Sequence, residues 1–295
     1  IPLYCFLSIV LPGIHMTILR YGLICVVLVL TACGPRELEP DEPINNDNSG
    51  RWNKAQDPFR IHGNTWYVGT AGLSSILVET DDVLILIDGG LPQSAPLIDT
   101  NIRNLVFDTL DVKAILVSHA HYDHVGGIAA LQRYTDATVF ASQLALEPLM
   151  NGRLTVDDPQ YVADSDQGDF PAVRQVAAVG DGEVVTVGSV DVKAVYTPGH
   201  TPGSTTWTWQ SCALNVCYDV VYADSMTAVS AEGFKFTESG VADKLVASAG
   251  IFADLLSVIL LSPHPLFFGM ADKLERLDQG YPVVNKVGCL LYGES

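Results

Sequence analysis

The sequence predicts an α+β fold in which two sheets pack together with helices on their outer faces. Two observations lead there. Runs of strand signal are followed by helical spacing, and this succession occurs twice without strict βαβ alternation. At 295 residues and 48% hydrophobic positions, the chain is also long and apolar enough to bury a sizeable core.

The folded domain is expected over 52–295. Its strand signals open at 59–69, 73–79 and 83–87, with turns at Gly72 and Asp81-Asp82. Helical spacing follows over 94–109, where Leu97, Ile98, Ile102, Leu105 and Val106 recur on one face. A β-branched run at 112–117 leads straight into Ser118-His119-Ala120-His121. Helix is expected over 127–134, strand over 137–141 and helix over 143–150. Residues 151–170 carry five aspartates and little periodicity, and read as a surface loop placed to overhang a site. Strands resume at 183–187, 191–196, 204–210 and 218–222. A helix at 241–256, a strand at 258–261 and a helix at 265–277 complete the pattern.

The N-terminal region reads as an address. With Met16 as initiator, residues 1–15 are upstream translation. Arg20 precedes an apolar run of twelve residues, Tyr21 to Ala32. That run is too short to span about 30 Å of hydrocarbon, so 16–32 suits a signal peptide. Its end, Leu30-Thr31-Ala32-Cys33, resembles the bacterial lipobox, which makes Cys33 the lipidated first residue of the mature protein. The alternative is an ordinary secretory signal cleaved nearby. Residues 33–51, rich in proline, acid and amide, read as a solvated tether. These readings place the protein in the periplasm, touching a membrane only through an N-terminal lipid anchor.

Net charge is −18, from 34 acidic and 16 basic residues. Such a surface repels phosphate backbones, which excludes nucleic acid as the expected partner. It also suits a soluble monomer. Cys5, Cys25 and Cys33 lie in the N-terminal region, leaving Cys212, Cys217 and Cys289 in the folded part. Cys212 and Cys217 flank what reads as a hairpin tip. In an exported protein that spacing suits a local disulfide, with two buried thiols as the alternative.

Histidine carries the chemistry. Five of the seven fall in three short motifs. His119-Ala120-His121-Tyr122-Asp123-His124 offers four metal donors at the end of a strand. On an extended or turning backbone His119 and His121 project to one side, while Asp123 and His124 turn toward a second centre. Imidazole with carboxylate favours zinc. Pro198-Gly199-His200-Thr201-Pro202-Gly203 builds a tight loop that aims one histidine inward. Ser262-Pro263-His264-Pro265 pins another between two prolines after an apolar strand.

Together these motifs resemble the metallo-beta-lactamase superfamily, marked by its His-x-His-x-Asp-His loop, over roughly Phe59 to Asp272. Ser262-Pro263-His264-Pro265, the serine in Ala223-Asp224-Ser225-Met226-Thr227, and Gly69-Thr70-Ala71-Gly72-Leu73-Ser74-Ser75 are most similar to subclass B3. The resemblance implies an αβ/βα sandwich with two central mixed sheets. It implies two zinc ions, one on His119, His121 and His200, the other on Asp123, His124 and His264. A metal-bound hydroxide would then hydrolyse a small-molecule beta-lactam, a route to antibiotic resistance, with Asp123 as a catalytic residue. Asp88 matches an aspartate that holds a ligand histidine's orientation from behind; a simple turn aspartate is the other reading. Ser225 and Thr227 match positions that bind the substrate carboxylate, or are plain turn hydroxyls.

The chain also departs from its relatives. Their C-terminal cysteine is often bridged, but the partner position for Cys289 is Ser257, so Cys289 is expected free. Two rival readings stand beside this one. A thioester or lactone hydrolase of the same fold would use Asp224 to bridge both metals. A zinc-binding lipoprotein without catalysis would use flexible histidine-rich tracts, which this sequence lacks.

Overall fold

A computed structural model describes residues 36–255 and 258–278. Residues 16–32, read above as a signal peptide, and Cys33, Ser257 and Cys289 lie outside the described residues. Helices are α1 (Ser49–Trp52), α2 (Ala95–Asn104), α3 (Tyr122–Val125), α4 (Ile128–Thr135), α5 (Leu146–Asn151), α6 (Phe236–Ser239), α7 (Val241–Asp254) and α8 (Met270–Asp278). Seven strands form one sheet in sequence order: β1 (Phe59–His62), β2 (Thr65–Tyr67), β3 (Ile76–Glu79), β4 (Leu84–Ile87), β5 (Val112–Leu116), β6 (Thr138–Ser142) and β7 (Val176–Val179). The second sheet has five: β8 (Val184–Val187), β9 (Val190–Tyr196), β10 (Thr205–Ala213), β11 (Val216–Tyr222) and β12 (Ile259–Leu261). The first is antiparallel from β1 to β4 and parallel from β4 to β7. The second is antiparallel except where β12 joins β11 in parallel.

The predicted α+β class, with two mixed sheets face to face, is what the chain forms. Side chains alternate faces along a strand, and here both faces are apolar. Ile76, Val78, Ile85, Ile87, Ala114 and Leu116 meet Val192, Ala194, Trp207, Val220 and Tyr222 of the other sheet. The alternate residues Leu77, Leu84, Leu86 and Ile115 pack outward with Ile98 and Ile102 of α2 and Leu131 of α4. On the far side Val221, Ala223 and Leu260 cover Phe252 of α7. Each such buried aliphatic side chain contributes about 1.5–3 kcal/mol, which fixes the order helix, sheet, sheet, helix.

Several element boundaries differ from those read in the sequence. The single strand expected at 59–69 is a hairpin. Its turn uses Gly63 at φ +46°, where a Cβ would sit 2.4 Å from the Cys212 carbonyl oxygen. Strand β7 went unread because Val-Ala-Ala-Val carries little β-branched signal; its pairing with β6 decides it. Helix α8 begins at Met270, later than expected, because Gly269 adopts φ +66°. Residues 37–51 do not behave as the solvated tether expected. Leu38 packs on the core, Arg133 pairs with Asp41 at 3.0 Å, and Ile44 exchanges two hydrogen bonds with Gln93. Among the described residues no helix is long and apolar enough to cross a membrane.

Candidate metal centre

The C-terminal ends of β4, β5, β9, β11 and β12 deliver the chemistry-bearing residues to one edge of the sandwich. After β5 the chain bends at Ser118, is extended at His121, with φ −107° and ψ 147°, and then turns into α3. Extended residues two apart face one way, so His119 and His121 project together. The helical turn that follows swings Asp123 and His124 to the adjoining position. His200 sits in the loop after β9. There Gly199 has φ +146°, and a Cβ would lie 2.6 Å from Leu245 Cδ2, so only glycine lets the loop close onto α7. His264 follows β12.

The sequence-predicted ligands come together in the two expected sets. Donor atoms of His119, His121 and His200 lie within 4.8 Å of one another, and so do those of Asp123, His124 and His264. The His119 and His124 rings are 4.4 Å apart, so the two sets adjoin. Asp123 Oδ2 is 3.2 Å from His124 Nε2 and 3.4 Å from His264 Nε2. All six are buried except His264, whose side chain is 20% exposed.

What lies behind the rings tests whether a metal fits. His119 Nδ1–H donates to Asp224 Oδ1 at 2.7 Å, and His200 Nδ1–H donates to the Thr227 carbonyl at 2.8 Å. Both contacts leave Nε2 as the free lone pair, and His119 Nε2 is buried without a hydrogen-bond partner among the described residues. A buried imidazole nitrogen facing two other imidazoles is costly unless a cation satisfies it. The residues fit a metal at both positions. Burial, reinforced by the neighbouring imidazoles, holds His119 and His200 well below the usual histidine range, which keeps them neutral and ready to ligate. Burial alone would raise the Asp123 carboxyl, but His124 beside it and hydrogen bonds from His124 and His264 hold it well below the usual carboxylate range.

Asp88 takes its closest contacts from the base of the histidine loop. Ser118 donates to it through N–H at 2.8 Å and Oγ–H at 2.6 Å, and Tyr222 donates through its hydroxyl at 2.8 Å. The nearest ligand ring, His124, is 4.0 Å away. Ser225 is buried, and its Oγ has no partner among the described residues. Thr227 is turned to His200, 3.2 Å from Nδ1, and so serves the ring as well as lining the loop.

Sequence reasoning missed residues that touch the ligands from distant segments. Asp158, in the aspartate-rich loop, lies 3.1 Å from His121 Nε2. Trp52 packs its ring 5.5 Å from that of His264. Neither carries a motif, since each acts only through the tertiary fold. The five-aspartate count of the loop was the one available signal for the first.

A four-layer sandwich with two adjoining three-donor clusters at one edge defines a protein with two metal-binding sites. Residues 69–244 match the family model of the metallo-beta-lactamase superfamily, and the chain belongs to that superfamily. Among solved structures it is similar to the Rm3 metallo-beta-lactamase, at 42% identity and TM-score 0.81, covering 85% of this chain and 94% of that one. It is also similar to MEM-A1, a subclass B3 metallo-beta-lactamase from a soil metagenome library, at 39% identity and TM-score 0.79, covering 82% and 93%. A curated relative, the probable metallo-hydrolase YflN of Bacillus subtilis, is 26% identical over 58% of this chain and 61% of its own length. The chain spans about half the length of the curated relatives it matches.

Proposed function

We propose that this chain is a two-zinc hydrolase that opens the amide bond of beta-lactams. The observation that carries the reading is the pair of adjoining clusters, each with three protein donors and therefore with positions left for water and substrate. Imidazole-rich donor sets of this kind suit zinc. Two such ions supply Lewis acidity and bring the ionisation of water to about pH 7. The chain's own residues do the rest. Asp224 and the Thr227 carbonyl hold His119 and His200 in the ligating tautomer. The surrounding loops bury five of the six donors, and Ser225, its hydroxyl without a partner among the described residues, is offered to a substrate carboxylate. The similarity to Rm3 and MEM-A1 supports the beta-lactam as substrate.

The position of Asp224 favours this reading over a thioester hydrolase. An aspartate bridging both metals would belong to both donor sets; Asp224 instead lies behind His119 and belongs to neither.

The test is a panel of one penicillin, one cephalosporin and one carbapenem against purified protein. Hydrolysis is expected, lost with a chelator and restored by zinc. Asp123→Ala is expected to be inactive and to bind less metal. Two bound metals with turnover of thioesters or lactones, and none of beta-lactams, would keep the fold and overturn the substrate.

A further inference from the structure

We infer that Asp158 and Gln160, on the loop between α5 and β7, act on His121 with opposite effect and so set the metal affinity of the first centre. The inference rests on the two-metal reading above. Asp158 is buried, and its two carboxylate oxygens lie 3.1 and 3.3 Å from His121 Nε2. A carboxylate at that distance accepts, so Nε2 carries the proton and donates. On the other side of the ring, Gln160 Nε2 lies 3.3 Å from His121 Nδ1. An amide N–H donates, so Nδ1 is the acceptor. The two contacts are independent and agree on one tautomer.

That tautomer makes His121 unlike its neighbours. His119 and His200 are held through Nδ1 and present Nε2, whereas His121 is held through Nε2 and presents Nδ1. Nδ1 is therefore the nitrogen left for a metal, and it is also the one that Gln160 engages. One lone pair serves one partner at a time. Asp158 pre-orients the ring for the metal, while Gln160 occupies the ligating atom until a metal displaces it.

The loop is fixed well enough to exert this control. The Gln160 backbone N–H donates to Asp158 Oδ1 at 2.8 Å, which ties the two side chains to one turn. The Pro159 carbonyl between them accepts from Ala231 N–H at 2.9 Å, which anchors the turn to the segment after β11. Beside it a cavity of about 410 Å³, lined by His121, Gln160, Asn46 and Ser230 among others, gives the Gln160 side chain room to swing away.

The two residues are thus positioning residues with opposite signs. The experiment is a zinc titration against a competing chelator on full-length Asp158→Ala, Asp158→Asn and Gln160→Ala proteins, with cobalt absorption separating the two centres. Asp158→Ala is expected to weaken the first centre about 10–100-fold, as loss of a partner behind a ligand histidine does, and to spare the second. Asp158→Asn keeps an acceptor oxygen and is expected to recover most of that loss. Gln160→Ala is expected to bind zinc at the first centre more tightly than wild type. Equal affinity of Asp158→Ala and wild type overturns the inference, as does a Gln160→Ala protein that binds zinc more weakly. Equal weakening of both centres, with no recovery by asparagine, assigns Asp158 to general structure and overturns it too. Wild-type protein that takes up no metal overturns the two-metal reading along with this one.

Discussion

The hydroxyl and backbone N–H of Ser118 both end on the Asp88 carboxylate, one residue before the first ligand. Burial pushes Asp88 up to about pKa 6, and the donors from Ser118 and Tyr222 pull against that rise. The loop that carries four donors is thereby fastened at its root. Trp207 adds a further tie, its indole N–H donating to the Val117 carbonyl at 2.9 Å from the opposite sheet. At the other end of the site Ser225 carries the residue-scale prediction. Replacing it by alanine is expected to remove a hydrogen bond to a charged substrate group, about 1–2 kcal/mol, raising KM roughly five- to thirty-fold. Zinc content should stay at the wild-type level. Steady-state kinetics with metal analysis checks both, and an unchanged KM removes Ser225 from substrate binding.

The β10–β11 hairpin shows a single element meeting its expectation. Leu214 and Asn215 form its two-residue tip, both at positive φ (+48° and +67°), the backbone that a right-handed twisted hairpin needs. Cys212 and Cys217 face each other across it and are bonded. So short a closed loop contributes only about 2 kcal/mol. Replacing both cysteines by serine is expected to lower Tm by about 4–8 °C at this chain length while sparing activity. Calorimetry reads the first and the substrate panel the second. On mature, unreduced protein made in an oxidising compartment, thiol labelling should leave both residues unmodified. Labelling of either one contradicts the disulfide and weakens the proposed export.

At the scale of the molecule, the same edge of the sandwich gathers imidazoles and carboxylates from five strand ends. Packing two sheets face to face forces that meeting, because only one edge receives the C-terminal ends of β4, β5, β9, β11 and β12. Folding therefore buries polar groups, His119 Nε2 among them, that no protein group among the described residues satisfies. A metal that binds the folded chain alone adds stability by mass action, about 2.7 kcal/mol per site at a hundredfold excess over Kd. Zinc-loaded protein should melt well above chelated protein, with Tm rising as free zinc rises. Coincident melting curves in zinc and in chelator would show that the clusters hold no metal.

The sequence by itself determined the fold class, most strand positions and the three motifs that carry the donors, while their grouping into two sets came from the family resemblance. The first three depend on local information: the period of apolar residues, the glycines and prolines of turns, and four donors packed into His119–His124. It also placed the disulfide, since a hairpin tip is read from neighbours in the chain. Only the tertiary structure decided the rest. Strand β7 exists because β6 offers it a partner, and residues 37–51 lie down because Gln93, Arg133 and the core receive them. The partner of His121 stands 37 residues away on a loop with no regular signal, and the ring that packs on His264 comes from α1 near the start of the domain. Ligands are chosen by side-chain chemistry, which a sequence displays. The groups that orient them are chosen by proximity, which exists only once the two sheets have closed.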